Sequence, residues 1–588
     1  MKHADSHLKL IQDRLSLGEW FIVPHADAFQ GEYTSPHDER LAWVSGFTGS
    51  AGTALINKEQ AYIFADGRYT LQAKAQVDQS WTVIASTEQT AATFLTKALQ
   101  PKSTLLLDPW LHTFQQYRDW NELCAKYQAT LIACAQNPID ELWQNRPSAS
   151  HEAIYEHPLA FAGETSESKR QQIIQELQDN ECLLLTNCES IAWLLNIRGN
   201  DIPHTPIVHA YAILHKTGNV DLFINANKVA PAMGAYLGSG VKIFPLSAIK
   251  EHLCALNEQH RVWIDPRQTS AALALLVQES GAHLNLQRDP SVLKRARKNP
   301  TEIAGAVSAH IRDGVALTRF LAWVAENAPT GNLTEVSCAA KLLEFRRLGE
   351  HFMDISFGTI SSVGSNGAII HYQPTPQTDR RLEFPNLYLV DSGGQYRDGT
   401  TDVTRTIALG EPTAEQRRHF TLVLKGHIAI AAAQFPYGTQ GVHLDALARY
   451  FLWQEGLNYA HGTGHGVGSY LCVHEGPQGI SPKSHQDLLP GMILSNEPGY
   501  YQEGSHGIRI ENLMVVEECQ NNLPQGWLKF QTLTLAPLDR CLIETALLTT
   551  PERQWVDSYH QRVHDTLAPY LDEATRVWLR TATEALTL

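Results

Sequence analysis

Apolar residues recur along this chain with two periods. Between Glu302 and Glu326, Ile303, Val307, Ile311, Val315, Leu317 and Phe320 fall at helical spacing. Asn299-Pro300-Thr301-Glu302 supplies a helix start, so the pattern predicts a long amphipathic helix that opens a domain near residue 298. Short apolar runs bounded by turn residues predict strands: Ala61–Ala65 before Asp66-Gly67, Leu387 to Val390 before Asp391-Ser392-Gly393-Gly394, Thr401 to Thr406, and Met492 to Asn496. Gly507 to Asn512 alternates with period two and sends Ile508 and Ile510 to one face, Arg509 and Glu511 to the other. Beyond Pro537, Trp555, Tyr559, Val563, Leu567, Tyr570, Leu571 and Trp578 stand in a helical context. They predict a C-terminal helical extension packed on the preceding domain.

The first 300 residues contain an internal duplication. Ala42-Trp43-Val44-Ser45-Gly46-Phe47 resembles Ala192-Trp193-Leu194-Leu195-Asn196-Ile197, an offset of 192 − 42 = 150. Leu105-Leu106-Leu107-Asp108-Pro109 resembles Val262-Trp263-Ile264-Asp265-Pro266, an offset of 265 − 108 = 157. Two copies of one mixed α/β domain account for both; chance likeness between short apolar strands is the alternative.

Composition narrows the class. The 588 residues are 43% hydrophobic and 19% charged, enough apolar material for large cores and unlike a disordered or disulfide-stapled chain. Lys and Arg number 47 against 62 Asp and Glu, a net −15 that argues against general nucleic-acid binding. The basic run Lys294-Arg295-Ala296-Arg297-Lys298 reads as a solvated linker, with a nucleic-acid or import patch as the alternative. Charges interrupt Met1 to Trp20, so no secretory leader is expected there, and the longest apolar run noted, Ala271 to Val277, is far too short to span a bilayer. Nine cysteines at irregular spacing without C-x-x-C read as reduced core thiols in a cytoplasmic protein.

Familiar catalytic signatures are missing. There is no P-loop and no G-x-S-x-G, and His151-Glu152 and His474-Glu475 start like H-E-x-x-H but continue to Tyr155 and Gln478. Gly49-Ser50-Ala51-Gly52 reads as a turn. The informative residues lie between 371 and 511. A hairpin joining the strands after Leu387 and Thr401 would bring Asp391 close to Asp402, where two carboxylates repel unless a cation or proton sits between them. Read alone, both serve equally as turn and cap residues. His461-Gly462-Thr463-Gly464-His465-Gly466-Val467-Gly468 presents two imidazoles on a glycine-rich stretch, suited to metal binding or proton transfer, or else a flexible loop. The strand ending at Asn496 delivers Glu497 into Pro498-Gly499-Tyr500-Tyr501, and Arg509 beside Glu511 reads on its own as an ion pair.

Taken together, Asp391, Asp402, Glu497 and Glu511 carry about −4; two divalent cations and a bridging hydroxide bring the sum to about −1, as a buried site requires. Oxygen donors with the one imidazole of His465 favour Mn²⁺ or a similar ion over a thiolate-type zinc site. Two ions about 3.5–4 Å apart would activate a water and polarise a carbonyl.

Nearly the whole chain resembles the aminopeptidase P (Xaa-Pro aminopeptidase) group of the pita-bread metallopeptidases, in its three-domain cytosolic form. The resemblance rests on Val44-Ser45-Gly46-Phe47-Thr48-Gly49-Ser50-Ala51-Gly52, Asp66-Gly67-Arg68-Tyr69, Asp398 to Thr406, His461 to Gly468, Glu497 to Tyr501 and Gly507 to Asn512. It implies an α/β (α+β) fold: two creatinase-type N-terminal domains over 1–148 and 149–297, a pita-bread catalytic domain over 298–525, and a C-terminal extension over 526–588. It implies that Asp391 binds one metal and His465 with Glu497 the other, with Asp402 and Glu511 bridging. The ions would be Mn²⁺, with Zn²⁺ or Co²⁺ as alternatives. It implies Glu497 as proton shuttle to a bridging water. His371, His461 and His474 would hold substrate and stabilise the tetrahedral intermediate, and Arg509 would orient carboxylates. The expected reaction is release of the first residue from a peptide whose second residue is proline. An Xaa-Pro bond has no N–H, so contacts to that group cannot form. The resemblance further implies a homodimer, with a peptide as substrate and neither nucleic acid nor membrane as partner. A prolidase would share the ligand set but take only dipeptides. A methionine aminopeptidase would not need the residues before 298, and a creatinase or a binding-only relative lacks these ligands.

Overall fold

In the computed structural model, residues 4–519 and 526–586 are described. The chain forms two compact units, Met1–Pro158 with Glu164–Val292 and Leu159–Gly163 with Leu293–Leu588. No helix among the described residues is long and apolar enough to cross a membrane.

The first unit bears out the duplication strand by strand. One six-stranded sheet runs in the order Trp81–Ala85, Ala61–Ala65, Gly52–Asn57, Glu19–Pro24, Thr104–Leu107, Thr130–Ala133. The other runs Val241–Pro245, Val220–Ile224, Ala210–His215, Glu181–Leu185, Arg261–Ile264, His283–Leu286. In each, the central strand leads through a short helix (Arg40–Ser45 or Cys188–Leu195) to an antiparallel neighbour. Asp108 and Asp265 cap equivalent turns, accepting from the amides of Trp110 and Arg267.

The duplicated loops also bind each other reciprocally. Phe114 N–H donates to Thr269 O at 2.8 Å, and its counterpart Ala271 N–H donates to His112 O at 2.8 Å. Gln115 N–H reaches Pro266 O at 2.7 Å while Ala272 N–H reaches Pro109 O at 2.9 Å. Each pair maps onto the other by the same 157-residue step (271 − 114, 269 − 112), the self-complementarity of a two-fold interface.

In the second unit the helix Pro300–Asn327 begins where the sequence predicts. Asn299 Oδ1 accepts from the amides of Thr301 and Glu302, and Glu302 Oε2 accepts from Asn299 N–H at 2.9 Å, a reciprocal capping box with proline at the first helical position. A three-stranded sheet (Ile360–Val363, Asn386–Ser392, Val403–Leu409) and a six-stranded sheet (Gln434–Pro436, Trp527–Thr532, Asn512–Glu518, Ile493–Asn496, Gly464–Gly466, Glu475–Ile480) pack with the helices Ala414–Ala431 and Gly441–Trp453. This is the pita-bread architecture. The C-terminal helices Thr550–Leu567 and Glu573–Ala582 bury Val556, Tyr559, Val563, Leu567 and Leu579 in the same core cluster as Leu387, Phe420, Ile508 and Ile510. Tyr570, in contrast, is exposed.

Three expectations change. The run Lys294 to Lys298 is not a solvated linker: Arg295 and Lys298 are 3% and 4% exposed and both pair with Glu475, itself 3% exposed. Lys298 N–H also donates to Gly491 O at 2.9 Å. Buried cations need such a partner, and a carboxylate 177 residues away cannot be read from the run itself. The thiols are all free, but only Cys124, Cys182, Cys188 and Cys338 are buried, and Cys254 and Cys541 are exposed. The chain between the predicted hairpin strands is not a simple turn, since Gly394–Tyr396 and Gly399–Thr400 pair with each other and with Phe352–Ile355.

Burial holds His112 neutral, pushing its pKa down to about 4. Its Nδ1 lies 3.0 Å from Asp108 O, beside the reciprocal loops. The unfolded imidazole binds a proton near pH 6.5, so stability is full above that pH. It falls by up to about 1.4 kcal/mol per pH unit between about 6.5 and 4. Thermal unfolding followed from pH 7 to pH 5 is expected to show a smaller loss of midpoint in His112→Gln than in the wild type.

Candidate active site

Five strand ends of the second unit converge on one buried place. Asp391 lies near the end of Asn386–Ser392, whose register pairs Asp391 with Thr404 and Ser392 with Val403, so Asp402 enters beside it. The neighbourhood predicted from the two apolar strands is therefore present. Asp402 Oδ2 stands 3.5 Å from His465 Nε2, and Glu497 Oε1 stands 3.4 Å from the same nitrogen. Glu511 Oε2 accepts from Thr404 Oγ1 at 2.7 Å. Ligand atoms of Asp402, His465 and Glu511 lie within 4.8 Å of one another.

Local sequence explains each placement. His465 sits on Gly464–Gly466, between two neighbouring strands. A Cβ on Gly464 would stand 2.0 Å from Ser495 O, and one on Gly466 would stand 2.3 Å from Glu475 O. The glycines serve close backbone approach rather than flexibility. His465 N–H donates to Ser495 Oγ at 2.9 Å, and Ser495 Oγ donates to Glu497 Oε1 at 3.1 Å. The period-two segment breaks as a strand but keeps its alternation. His506–Arg509 pairs with Gly499–Gln502, the chain then crosses over, and Asn512–Glu518 pairs with Ile493–Asn496. Ile508 and Ile510 enter the core, while Glu511 stands at the crossing.

Arg509 does not pair with Glu511. Its Nη2 donates to Asp391 Oδ2 at 2.7 Å, its Nε to Thr404 Oγ1 at 3.1 Å, and its Nη1 to the hydroxyl of Tyr501 at 2.6 Å. That hydroxyl also lies 2.8 Å from His461 Nε2, so Tyr501 links His461 to Arg509. Sequence reasoning did not single out Tyr501; its place four residues after Glu497 on an alternating strand was the available signal. The His474 ring meets His465 edge-on at 4.3 Å between centroids. His371 is half-buried in the turn after Ile370, whose carbonyl accepts from Arg509 Nη2 at 3.4 Å.

The electrostatics are those of crowded anions. Burial raises the pKa of Asp391 to about 7 against the pull of Arg509, with Asp402 and Glu497 adding to the rise. Burial and then the charges of Asp402 and Asp391 push Glu511 well above the usual carboxylate range. Glu497 is raised by burial and by Asp402, with His465 opposing. Burial disfavours charge on His465, but Asp402 and Glu497 overcome it and lift its pKa to about 9. Oδ1 of Asp391 and Oδ1 of Asp402 are buried with no hydrogen-bond partner. Orphaned carboxylate oxygens beside an imidazole, all held among like charges, fit hard or borderline divalent cations.

A pita-bread fold carrying such a carboxylate-rich centre defines a metal-dependent hydrolase. The model for metallopeptidase family M24 matches residues 306–518, and that for the C-terminal region of peptidase M24 matches 526–586. Two models of the creatinase/prolidase N-terminal domain match 27–142 and 145–302, one on each repeat. The chain is 36% identical to aminopeptidase P1 of Arabidopsis thaliana over 624 residues, covering 96% of each. It is 41% identical to a probable Xaa-Pro aminopeptidase P of Aspergillus fumigatus over 593 residues, covering 96% of this chain and 90% of that one. The solved X-prolyl aminopeptidase of Caenorhabditis elegans, a cytosolic enzyme with a di-nuclear active site, superposes with a TM-score of 0.95 at 32% identity over the whole of both chains. The chain belongs to metallopeptidase family M24, on its aminopeptidase P branch.

Gly464→Ala places a Cβ against a carbonyl that cannot move aside. A loss of about 1–3 kcal/mol in urea unfolding is expected, with weaker Mn²⁺ retention on dialysis because His465 moves with its strand.

Proposed function

We propose that this protein hydrolyses the first peptide bond of substrates whose second residue is proline, releasing the N-terminal residue. The observation that carries the reading is the convergence of Asp391, Asp402, His465, Glu497 and Glu511 in one buried pocket whose negative charge exceeds what Arg509 offsets. Similarity to enzymes of that name over nearly the full length supports it.

Two divalent cations would be held there, one by Asp391, the other by His465 and Glu497, with Asp402 and Glu511 shared. Bound, they would supply Lewis acidity and a water acidic enough to attack a carbonyl at neutral pH. We assign Mn²⁺ from the oxygen-dominated donor set, with Zn²⁺ and Co²⁺ as the ions to compare.

The remaining work falls to the chain. Glu497 takes a proton from the attacking water and passes it to the leaving prolyl nitrogen. His461 and His474 we assign to orienting the substrate carbonyl, His461 held by Tyr501 and His474 packed on the ligand His465. His371 we assign to the same role, at the turn beside the carbonyl of Ile370. Arg509 fixes the rotamer of Asp391 and limits the excess of negative charge. A proline in second place has no amide hydrogen, and this constellation asks for none.

The proposal extends to segments at 1–148, 149–297, 298–525 and 526–588, to a cytoplasmic homodimer, and to peptides rather than nucleic acid or membranes as partners. The N-terminal pair of domains and the C-terminal extension favour aminopeptidase P over a prolidase. Metal-stripped protein assayed on Arg-Pro-Pro and Arg-Ala-Ala is expected to release arginine from the first alone, and only after Mn²⁺ is added. Equal cleavage of both peptides would make it a general metallo-aminopeptidase. Glu497→Gln is expected to lower kcat by about 10²–10⁴-fold, measured on Arg-Pro-Pro at saturating Mn²⁺.

A further inference from the structure

The strands flanked by Asp402, Glu497 and Glu511 are tied to the C-terminal helix Thr550–Leu567 in two ways, through Arg405 and Asn512 and through His427 of the helix Ala414–Ala431. Arg405, three residues beyond Asp402, is buried at 1% exposure and spends all its donors behind the site. Its Nη1 donates to Glu511 O at 2.7 Å and Thr404 O at 2.8 Å, and its Nε to Pro537 O at 3.0 Å. Its Nη2 donates to Asn512 Oδ1 at 2.8 Å, Ala536 O at 2.9 Å and the Tyr559 hydroxyl at 2.9 Å. That hydroxyl lies 3.3 Å from Asn512 Oδ1, 3.2 Å from Thr534 O and 3.0 Å from Ala536 O, and it accepts from Ala536 N–H at 3.3 Å.

One turn earlier on the helix, Trp555 lies parallel to Tyr559 at 5.3 Å between centroids and meets His427 edge-on at 5.9 Å. His427 in turn grips the other two strands. Its Nδ1 lies 3.1 Å from Asn496 O, its Nε2 accepts from Asn512 Nδ2 at 3.2 Å, and its carbonyl accepts from Asn496 Nδ2 at 2.9 Å. Asn496 precedes Glu497, and Asn512 follows Glu511. The helix is itself anchored by Glu552, which accepts from Lys425 Nζ at 2.6 Å and 2.8 Å.

We propose that Tyr559 and Trp555 are positioning residues for the metal centre. Through Arg405, Asn512 and His427 the C-terminal helix fixes the spacing of three mutually repelling carboxylates, and so sets the affinity of the site for divalent cations. The proposal rests on the reading that these carboxylates hold the metals. Without a cation, repulsion drives the strand ends apart, and a rigid backing keeps that separation from growing. Metal binding then meets a preformed site instead of having to draw one together. Neither residue touches the pocket, so neither acts on substrate.

The test uses the full chain stripped of metal and titrated calorimetrically with Mn²⁺, with the visible spectrum of the Co²⁺ form as a second readout. Tyr559→Phe keeps the ring and removes the hydroxyl. It is expected to weaken Mn²⁺ binding about tenfold and to shift the Co²⁺ bands, while KM for Arg-Pro-Pro at saturating metal stays unchanged. Trp555→Phe is expected to weaken Mn²⁺ binding in the same direction. Val563→Ala, a cavity on the same helix in the common core, is the control for stability alone. It is expected to lower the thermal midpoint and leave Mn²⁺ affinity intact. Wild-type Mn²⁺ affinity and spectrum in Tyr559→Phe would overturn the proposal, as would equal weakening in Val563→Ala at the same loss of midpoint. Failure of the wild-type chain to bind Mn²⁺, Zn²⁺ or Co²⁺ at all would overturn the metallopeptidase reading and this proposal together.

Discussion

Like charges confined in a dry place govern the catalytic unit. Asp391, Asp402, Glu497 and Glu511 come from four separate stretches of chain, and the burial of three of them drives their pKa values upward. Such a cluster cannot form by its own attraction, since every approach of one carboxylate to another costs electrostatic free energy. The scaffold has to impose it. Two sheets do so by ending strands at a common point, and the free energy comes from apolar packing elsewhere, in the cluster that joins Leu387, Phe420, Ile508 and Ile510 to the C-terminal helix.

That constraint accounts for several details that otherwise look unrelated. Glycines flank His465 because neighbouring backbones press on it from both sides. Arg509 reaches Asp391 rather than Glu511, two residues along its own chain, and leaves Glu511 to the hydroxyl of Thr404. Arg295 and Lys298 hold Glu475, the first residue of the strand after His474, so the entry to the unit is pinned beside the site. Each arrangement restrains a backbone segment next to a charged side chain.

Legibility in the sequence followed the range of the forces. The helix at Pro300–Asn327, the strands Asn386–Ser392 and Ile493–Asn496, and the C-terminal helices were readable because capping and periodicity are local. The duplication was readable because repetition needs no geometry. The gathering of Asp391, Asp402, His465, Glu497 and Glu511 was legible through the pairing of two strands and through resemblance. What failed was long-range. The basic run looked solvated because its buried partner stands far along the chain. Arg509 looked paired with its neighbour because alternation reports the face of a residue and not its contact. Tyr501 was not singled out because its partners, His461 and Arg509, come from other segments of the chain.

The reciprocal loops of the N-terminal unit make an internal dimer. Two copies that would otherwise meet by collision are joined by their own polypeptide, so a tether rather than protein concentration sets how often their faces meet. Dilution does not separate them. A tethered pair is also released from the symmetry that binds identical subunits, because a change in one copy is no longer repeated in the other. The two repeats have used that freedom: they keep the same strand order and the same interlocking loops while matching different models of the creatinase/prolidase N-terminal domain.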